Sequence, residues 1–211
     1  MSRTRFSMPG TINTPSGTTW DDLVLPKQAI QSLREYTLWV THRHQVERKW
    51  EGKVTGGPIA LFSGPSGTGK TLAAEVLAND LGLDLCVVDP ALLASRYIHE
   101  TEKHLDAMFD AAAREPMVLF FDEADSLFGK RSEVNDSHDR YANLEVSYLL
   151  SRLERYEGPS VLASNSTEQV GPGILRRCQF VIDFPLPNKA ERSKLWRLYV
   201  PAKAPVDNDV N

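Results

Sequence analysis

Cysteine is scarce in this chain, and its two cysteines stand far apart. Cys86 lies within an apolar run and Cys178 follows two arginines. They have neither the close spacing of a metal-binding motif nor the number that a disulfide framework needs. This usage is typical of a protein from a reducing compartment, so we expect a cytoplasmic protein.

Long apolar runs and a strong net charge are also missing. No stretch approaches the ~20 apolar residues of a membrane helix, and no apolar run follows the first arginines as in a secretory signal. The formal net charge is -4 in 211 residues, so the composition indicates neither a nucleic acid nor a membrane as partner. The remaining class is an ordinary globular protein, long enough for one α/β domain.

Short apolar runs alternate with helical patterns along most of the chain. Runs that are apolar without alternation are typical of strands buried on both faces, as in a parallel sheet covered by helices. The pattern therefore predicts a doubly wound α/β domain with a five-stranded parallel sheet. The predicted strands are 59–62, 83–88, 117–121, 161–163 and 180–184, and the predicted helices are 27–50, 71–81, 100–113, 141–156 and 189–200.

The ends of the chain differ from this pattern. Residues 1–19 are rich in Ser, Thr, Pro and Gly, which predicts a flexible leader. Asn188 is a good N-cap for the last predicted helix, and residues 201–211 resemble a linker. The predicted organisation is a leader (1–19), an α/β core (20–186), one further helix (187–200) and a tail (201–211).

Residues 64–71 read Gly-Pro-Ser-Gly-Thr-Gly-Lys-Thr, which fits the phosphate-binding pattern G-x-x-x-x-G-K-[ST] between a strand and a helix. Glycines let backbone N–H groups face a phosphate, and the helix N-terminus favours the same anion. Lys70 would reach the β- and γ-phosphates, and the Thr71 hydroxyl would bind Mg²⁺. The predicted cofactors are ATP and Mg²⁺, and the predicted nucleotide-binding residues here are Gly64, Pro65, Ser66, Gly67, Thr68, Gly69, Lys70, Thr71 and Leu72.

The predicted strand 117–121 delivers two acids, Asp122 and Glu123, at its carboxyl end. Ligands of open α/β sheets bind at that edge. Asp122 would hold Mg²⁺ through water. Glu123 would orient and polarise the attacking water.

Together these motifs resemble those of the AAA+ ATPase family, and the resemblance extends from Trp20 to about Val200. It implies the P-loop NTPase fold of the AAA+ large subdomain. Residues 20–24 look like the family's entry segment, whose backbone near Leu23 and Val24 would border the adenine. Asn165 looks like the sensor residue, which by this likeness hydrogen-bonds the γ-phosphate or the attacking water.

Residues 174–177 resemble the segment that carries the family's arginine finger. We favour Arg177 over Arg176 as the side chain that reaches the γ-phosphate of a neighbouring subunit. The alternative is an ordinary solvated Arg-Arg pair. A finger of this kind implies a homo-oligomer, and the resemblance implies a hexameric ring.

Residues 95–100 look like the loop that grips polypeptide in the central pore of such rings. Tyr97 and Ile98 are the predicted gripping residues, although the usual small third residue is His99 here. The alternative is that Tyr97 packs against its own domain.

A narrower resemblance concerns residues 128–143, which are similar to a bacterial branch of AAA+ proteins. Some members of that branch accompany contractile injection systems. The charged stretch 130–140 is either a second loop facing the pore or a subunit interface, or an ordinary polar loop.

The predicted function is an AAA+ ATPase that couples ATP hydrolysis to remodelling or translocation of a protein partner in a ring. The alternative is a nucleotide-gated scaffold with incidental turnover, although a scaffold has no need of Glu123. A GTPase is disfavoured because no Asn-Lys-x-Asp segment reads guanine, and a P-loop kinase because Asp122-Glu123 with Asn165 suits hydrolysis better than transfer to a small acceptor. Family members continue into a helical lid, of which only 187–200 is evident, so we expect the lid to be truncated or missing.

Overall fold

The computed structural model describes residues 11–13, 17–50, 56–88, 98–125, 147–201 and 204. The strands in these ranges are β1 Thr11–Asn13, β2 Ile59–Ser63, β3 Asp84–Val88, β4 Met117–Phe121, β5 Ser160–Ser164 and β6 Phe180–Asp183. The helices are α1 Lys27–Trp50, α2 Lys70–Leu81, α3 Ile98–Arg114, α4 over residues 147–155, α5 Pro172–Leu175 and α6 Lys189–Tyr199. Short 3₁₀ turns occur at Trp20–Asp22 and Thr167–Gln169. None of the described helices is long and apolar enough to cross a membrane.

The five predicted strands form one parallel sheet, which confirms the predicted fold class. The strand order is β1-β3-β4-β5-β2-β6, so β5 lies between β2 and β4. In register, Ser63 of β2 stands beside Ser164 of β5. The residues that follow β2, β4 and β5 therefore meet at the same carboxyl edge of the sheet.

A sixth strand corrects the expectation of a leader that is flexible throughout. Thr11–Asn13 pairs antiparallel with β3, and the Asn79 side-chain amide donates to the Thr18 carbonyl and hydroxyl oxygens at 2.8 Å each. An edge strand offers unpaired backbone groups to any extended segment, whatever its side chains. The prediction of a flexible leader considered only how much apolar surface the side chains of residues 1–19 can bury. Backbone pairing does not depend on that surface, so the prediction missed it.

Helices cover both faces of the sheet, and the three central strands, β2, β4 and β5, are buried on both sides. α1 and α2 pack on one face and α3 and α4 on the other, so successive strand residues such as Leu61 and Phe62 enter different clusters. This burial explains why the strands are apolar without alternation. The largest fully buried side chains of the first face are Leu33, Tyr36, Phe62, Leu77, Leu85, Phe120 and Phe184, and those of the second are Leu61, Leu105, Met108, Leu119 and Phe121.

The final helix, α6, begins at the predicted N-cap. The Glu191 N–H donates to Asn188 Oδ1 at 3.0 Å, and the Asn188 N–H donates to Glu191 Oε2 at 2.8 Å. This reciprocal pair satisfies two N–H groups that the helix itself leaves unbonded. The helix has no buried residue, so it lies on the surface of the domain. Its last residue is Tyr199.

Candidate functional site

The glycine-rich loop begins where β2 ends, and its first residue is held against two neighbouring strands. The Gly64 N–H donates to the Ser164 carbonyl at 3.1 Å. A Cβ atom at residue 64 would lie 2.0 Å from the Phe184 carbonyl oxygen, which no side chain allows. Only glycine fits this close approach. The start of the loop is therefore held between the ends of β5 and β6, the two strands that flank β2.

The loop then turns into α2 through two glycines in the left-handed region. Gly67 has φ +79° and Gly69 has φ +95°, conformations that other residues adopt at a cost. The Thr68 hydroxyl donates to the Pro65 carbonyl at 2.8 Å and closes the turn. Gly69 is the N-cap of α2 and has no side chain to occupy the first N–H groups of the helix. The positive end of α2 is therefore open to an anion.

Lys70 is the buried cation of this loop. Its side chain is 9% exposed, and its Nζ donates to the Gly64 carbonyl at 2.5 Å and the Pro65 carbonyl at 3.0 Å. Burial lowers the pKa of Lys70, and the negative charges of Asp122 and Asp125 oppose that shift. The two carboxylates and the loop carbonyls thus support an ammonium group inside the site.

The acids after β4 sit on an unusual backbone turn. The Glu123 N–H donates to Asp122 Oδ1 at 2.9 Å. Glu123 has φ +47°, and within the described ranges no other residue except glycine has a positive φ. Such a conformation costs of order 1–3 kcal/mol and is concentrated at functional sites. The turn places Asp122 and Glu123 on the wall of one cavity.

Asn165 follows β5, and its side chain meets the acidic segment after β4. Asn165 Nδ2 donates to Asp125 Oδ2 at 3.2 Å. This contact joins the end of β5 to the end of β4. The strand order makes it possible, because β5 lies between β4 and β2.

These elements enclose a cavity of about 410 Å³ at the carboxyl edge of the sheet. It brings together the predicted magnesium and water-orienting residues and most of the predicted phosphate-binding residues, whereas Gly64, Pro65 and Thr68 are not in its wall. Its lining residues are Ser66, Gly67, Gly69, Lys70, Thr71, Leu72, Asp122, Glu123, Ala163, Ser164, Asn165 and Tyr199. A helix N-terminus, a cation and oxygen ligands within one cavity suit a phosphate chain with a divalent ion.

The donor set fits Mg²⁺ that arrives with phosphates. Among the described residues no group of three or more His, Cys, Asp or Glu side chains could hold a metal by itself. Thr71 and Asp122, the predicted Mg²⁺ ligands, both carry side-chain oxygens and lie on the wall of the cavity. Mg²⁺ in nucleotide sites is commonly bound by one or two protein oxygens together with phosphates and water.

A second cavity of about 150 Å³ adjoins the first, and its wall includes Leu23 and Val24, the residues predicted to border the adenine. The two cavities share Gly67, Gly69, Leu72 and Tyr199. The remaining lining of the smaller cavity is Asp22, Leu25, Pro26, Thr68, Pro185, Pro187, Glu191 and Leu195. Its apolar walls suit the faces of a planar base, whereas the larger cavity suits phosphates.

Sequence reasoning missed Tyr199 and the proline segment after β6. Tyr199 ends α6 and contributes to both cavities, while Pro185 and Pro187 border the smaller one. The signal that could have found them is topological. Residues after the last parallel strand must emerge at the same edge as the loop after β2.

Other predicted residues lie outside these cavities. Arg177 ion-pairs through Nε with Glu154, and its Nη1 donates to the Gly173 carbonyl at 2.5 Å. Arg176 is exposed. Tyr97 lies outside the described residues, as do residues 126–146, and Ile98 is the first residue of α3.

Comparison with known proteins adds independent evidence. Residues 60–186 match the model of the ATPase family associated with various cellular activities, AAA. The chain is 35% identical over 199 residues to the cell division cycle protein 48 homolog of Archaeoglobus fulgidus, covering 91% of this chain and 26% of that protein. It is 30% identical over 201 residues to 26S proteasome regulatory subunit 6A of Encephalitozoon cuniculi, covering 92% of this chain and 49% of that protein.

A third relative is 26S proteasome regulatory subunit 10B of Dictyostelium discoideum, 32% identical over 146 residues, which are 66% of this chain and 37% of that protein. The chain thus spans between about a quarter and a half of the length of these relatives. The family match covers the β2-to-β6 segment, which carries the glycine-rich loop, the acids after β4 and Asn165. The chain therefore belongs to the AAA ATPase family.

Proposed function

We propose that this chain binds Mg²⁺–ATP in the two adjoining cavities and hydrolyses it as a subunit of a ring that acts on a protein partner. The observation that supports this most is one cavity lined by Lys70, Thr71, Asp122, Glu123 and Asn165. Each of these side chains has a distinct role in phosphoryl transfer to water.

Binding uses the loop and the helix behind it. The phosphates face the open N–H groups of α2, and the Lys70 ammonium exchanges its bonds to loop carbonyls for bonds to phosphate oxygens. Thr71 and Asp122 would hold Mg²⁺, which neutralises charge on the phosphates. The base enters the smaller cavity, against Leu23 and Val24.

Hydrolysis depends on the acids and the amide at the ends of β4 and β5. Glu123 orients a water molecule whose oxygen bonds to the γ-phosphorus, and the bond to the β–γ bridging oxygen breaks with its electron pair on the leaving diphosphate. The water proton passes to the Glu123 carboxylate. Asn165 holds the γ-phosphate or the water in line.

Tyr199 offers a direct test of the base-binding cavity. We expect Tyr199→Ala to weaken ATP binding roughly tenfold, because loss of an aromatic contact to a base costs about 1–3 kcal/mol. Tyr199→Phe retains the ring and should bind ATP within about twofold of the wild type. Equilibrium titration with ATP measures both.

A matched control for that titration is Trp196→Ala, since Trp196 is also an exposed aromatic of α6 but lines neither cavity. It should leave ATP binding unchanged. Equal weakening by Trp196→Ala and Tyr199→Ala would show that α6 as a whole, and not Tyr199, supports the base.

The names of two relatives support an assembly of several chains. Both are regulatory subunits of the 26S proteasome; the hexameric ring and the protein substrate of this chain are part of the proposal. In this proposal Tyr97 and Ile98 grip the substrate in the pore. Glu123 on the cavity wall favours hydrolysis over a scaffold that only binds nucleotide.

Arg177 would act in this ring on the nucleotide of the neighbouring subunit, after leaving its contacts with Glu154 and Gly173. We expect Arg177→Ala to lower ATP hydrolysis by the assembled ring at least a hundredfold while ATP binding is retained, because arginine fingers contribute 10³–10⁵ in rate. Phosphate release and ATP titration measure the two effects. Arg176→Ala serves as the matched control and should have a small effect.

An experiment that mixes Arg177→Ala subunits with Glu123→Gln subunits distinguishes an arginine that acts on the neighbouring subunit from one that acts on its own. Arg177→Ala subunits have intact Glu123, and Glu123→Gln subunits have intact Arg177, so mixed rings should contain some complete sites. The mixture is expected to hydrolyse ATP faster than either variant alone. An active Arg177→Ala protein, or a mixture with no gain, would refute the finger.

A narrower proposal places the chain in the bacterial branch associated with contractile injection systems. It rests on the sequence of residues 128–143 alone. The genes beside the full reading frame test it, since genes of an injection system are expected there. Their absence would count against that role. The cytoplasmic location is a separate prediction, which rests on cysteine usage.

A further inference from the structure

The side chain of Asn165 is held by Asp125, which the hydrolysis scheme above does not use. Asn165 Nδ2 donates to Asp125 Oδ2 at 3.2 Å. We propose that Asp125 is a positioning residue that fixes the Asn165 carboxamide for hydrolysis, an inference that rests on the proposed function of the site.

The chemistry of the contact sets the direction of the amide. An ionised carboxylate only accepts hydrogen bonds, so the NH₂ end of Asn165 must face Asp125. The second N–H of that group and the Oδ1 atom then remain for the γ-phosphate and the attacking water. Without Asp125 the amide could rotate by a half-turn, and the NH₂ group and Oδ1 would then exchange places in front of the γ-phosphate and the attacking water.

The backbone on both sides of Asn165 is already fixed. Ser164 is buried, and its carbonyl accepts the Gly64 N–H at 3.1 Å. Its hydroxyl donates to the Ser166 carbonyl at 2.9 Å. The freedom left to Asn165 is that of its side-chain torsions, and the Asp125 contact restricts them.

The two oxygens of Asp125 lie in different surroundings. Oδ1 is buried and has no hydrogen-bond partner in the described part of the chain, whereas Oδ2 accepts the Asn165 amide in an exposed contact. Within that part of the chain, Asn165 is therefore the side chain that bonds to this carboxylate.

A rival role for Asp125 is electrostatic, since its charge helps to keep the nearby Lys70 protonated. The two roles need different properties of the side chain. Support of Lys70 needs the negative charge, whereas positioning of Asn165 needs an acceptor oxygen. Asp125→Asn removes the charge and keeps an acceptor oxygen, so it separates the two.

The experiment compares Asp125→Ala, Asp125→Asn, Asn165→Ala and the double alanine variant. We expect Asp125→Ala to lower kcat roughly tenfold or more with the Kd for ATP within about twofold, and Asp125→Asn to retain most of the rate. The double variant should be no slower than Asn165→Ala alone, because coupled residues are not additive. Asp80→Ala, an exposed acid of α2, is the matched control and should leave both values unchanged.

A second readout does not depend on turnover. The Asn165 side-chain amide, assigned in a ¹⁵N–¹H spectrum by its loss in Asn165→Ala, should show one slowly exchanging proton that Asp125→Ala makes fast. Additive rate losses, an Asp125→Asn variant as slow as Asp125→Ala, or an amide signal that Asp125→Ala leaves unchanged would each overturn the inference. A wild-type chain without turnover would contradict the proposed function, and the amide signal alone would then decide this inference.

Discussion

Lys70→Ala is expected to weaken ATP binding at least a hundredfold, the largest loss of affinity that we predict. The ammonium group is nine-tenths buried and already positioned by the Gly64 and Pro65 carbonyls. Each hydrogen bond from such a cation to a charged partner contributes about 1.5–3 kcal/mol, and in the proposed site Lys70 would face the phosphates with more than one donor. Isothermal titration with Mg²⁺–ATP measures the loss.

Two controls make this result specific. Lys103→Ala removes an exposed lysine of α3, away from both cavities, and should bind ATP like the wild type. A thermal melt checks that the Lys70→Ala protein still folds, so that a loss of ATP binding reports on the ammonium group and not on unfolding. Undiminished ATP binding by folded Lys70→Ala would remove the phosphate role from this loop.

Glu123→Gln is expected to bind ATP at least as tightly as the wild type and to hydrolyse it at least a hundredfold more slowly. The amide keeps the size of the side chain but cannot take a proton from the attacking water. The left-handed turn at φ +47° remains, since glutamine differs from glutamate in neither branching nor length. ATP titration and phosphate release separate the two effects.

The matched control is Glu115→Gln, at an exposed acid just beyond the end of α3. It should hydrolyse ATP at the wild-type rate. If Glu123→Gln also hydrolysed ATP at that rate, another group would have to activate the water, and the assignment of Glu123 would be wrong.

Local chemistry made much of the site predictable from the sequence. The loop 64–71 is predictable because phosphate binding requires glycines and a lysine at fixed positions, and this segment has them. Asp122 and Glu123 are predictable because an apolar strand directly precedes them. The order of the strands could not be read from their apolar patterns, because the five runs are similar. The structure supplied that order, and with it the contact between Asn165 and Asp125.

The residues that sequence reasoning missed depend on long-range geometry. Tyr199 reaches the site only because α6 returns across the carboxyl edge of the sheet, more than a hundred residues after the loop it faces. The strand Thr11–Asn13 depends on backbone bonds that its composition does not reveal. The role of Arg177 stays a prediction, because it concerns a neighbouring subunit, and that of Tyr97 stays one because it lies outside the described residues.

The most direct test of the central claim is the rate of phosphate release by the wild-type chain at saturating ATP, measured over a range of protein concentrations. We expect release that requires Mg²⁺ and stops when the metal is chelated. We also expect the rate per chain to rise with protein concentration, as subunits assemble and complete each other's sites. No release above the protein-free blank at any concentration would contradict that claim.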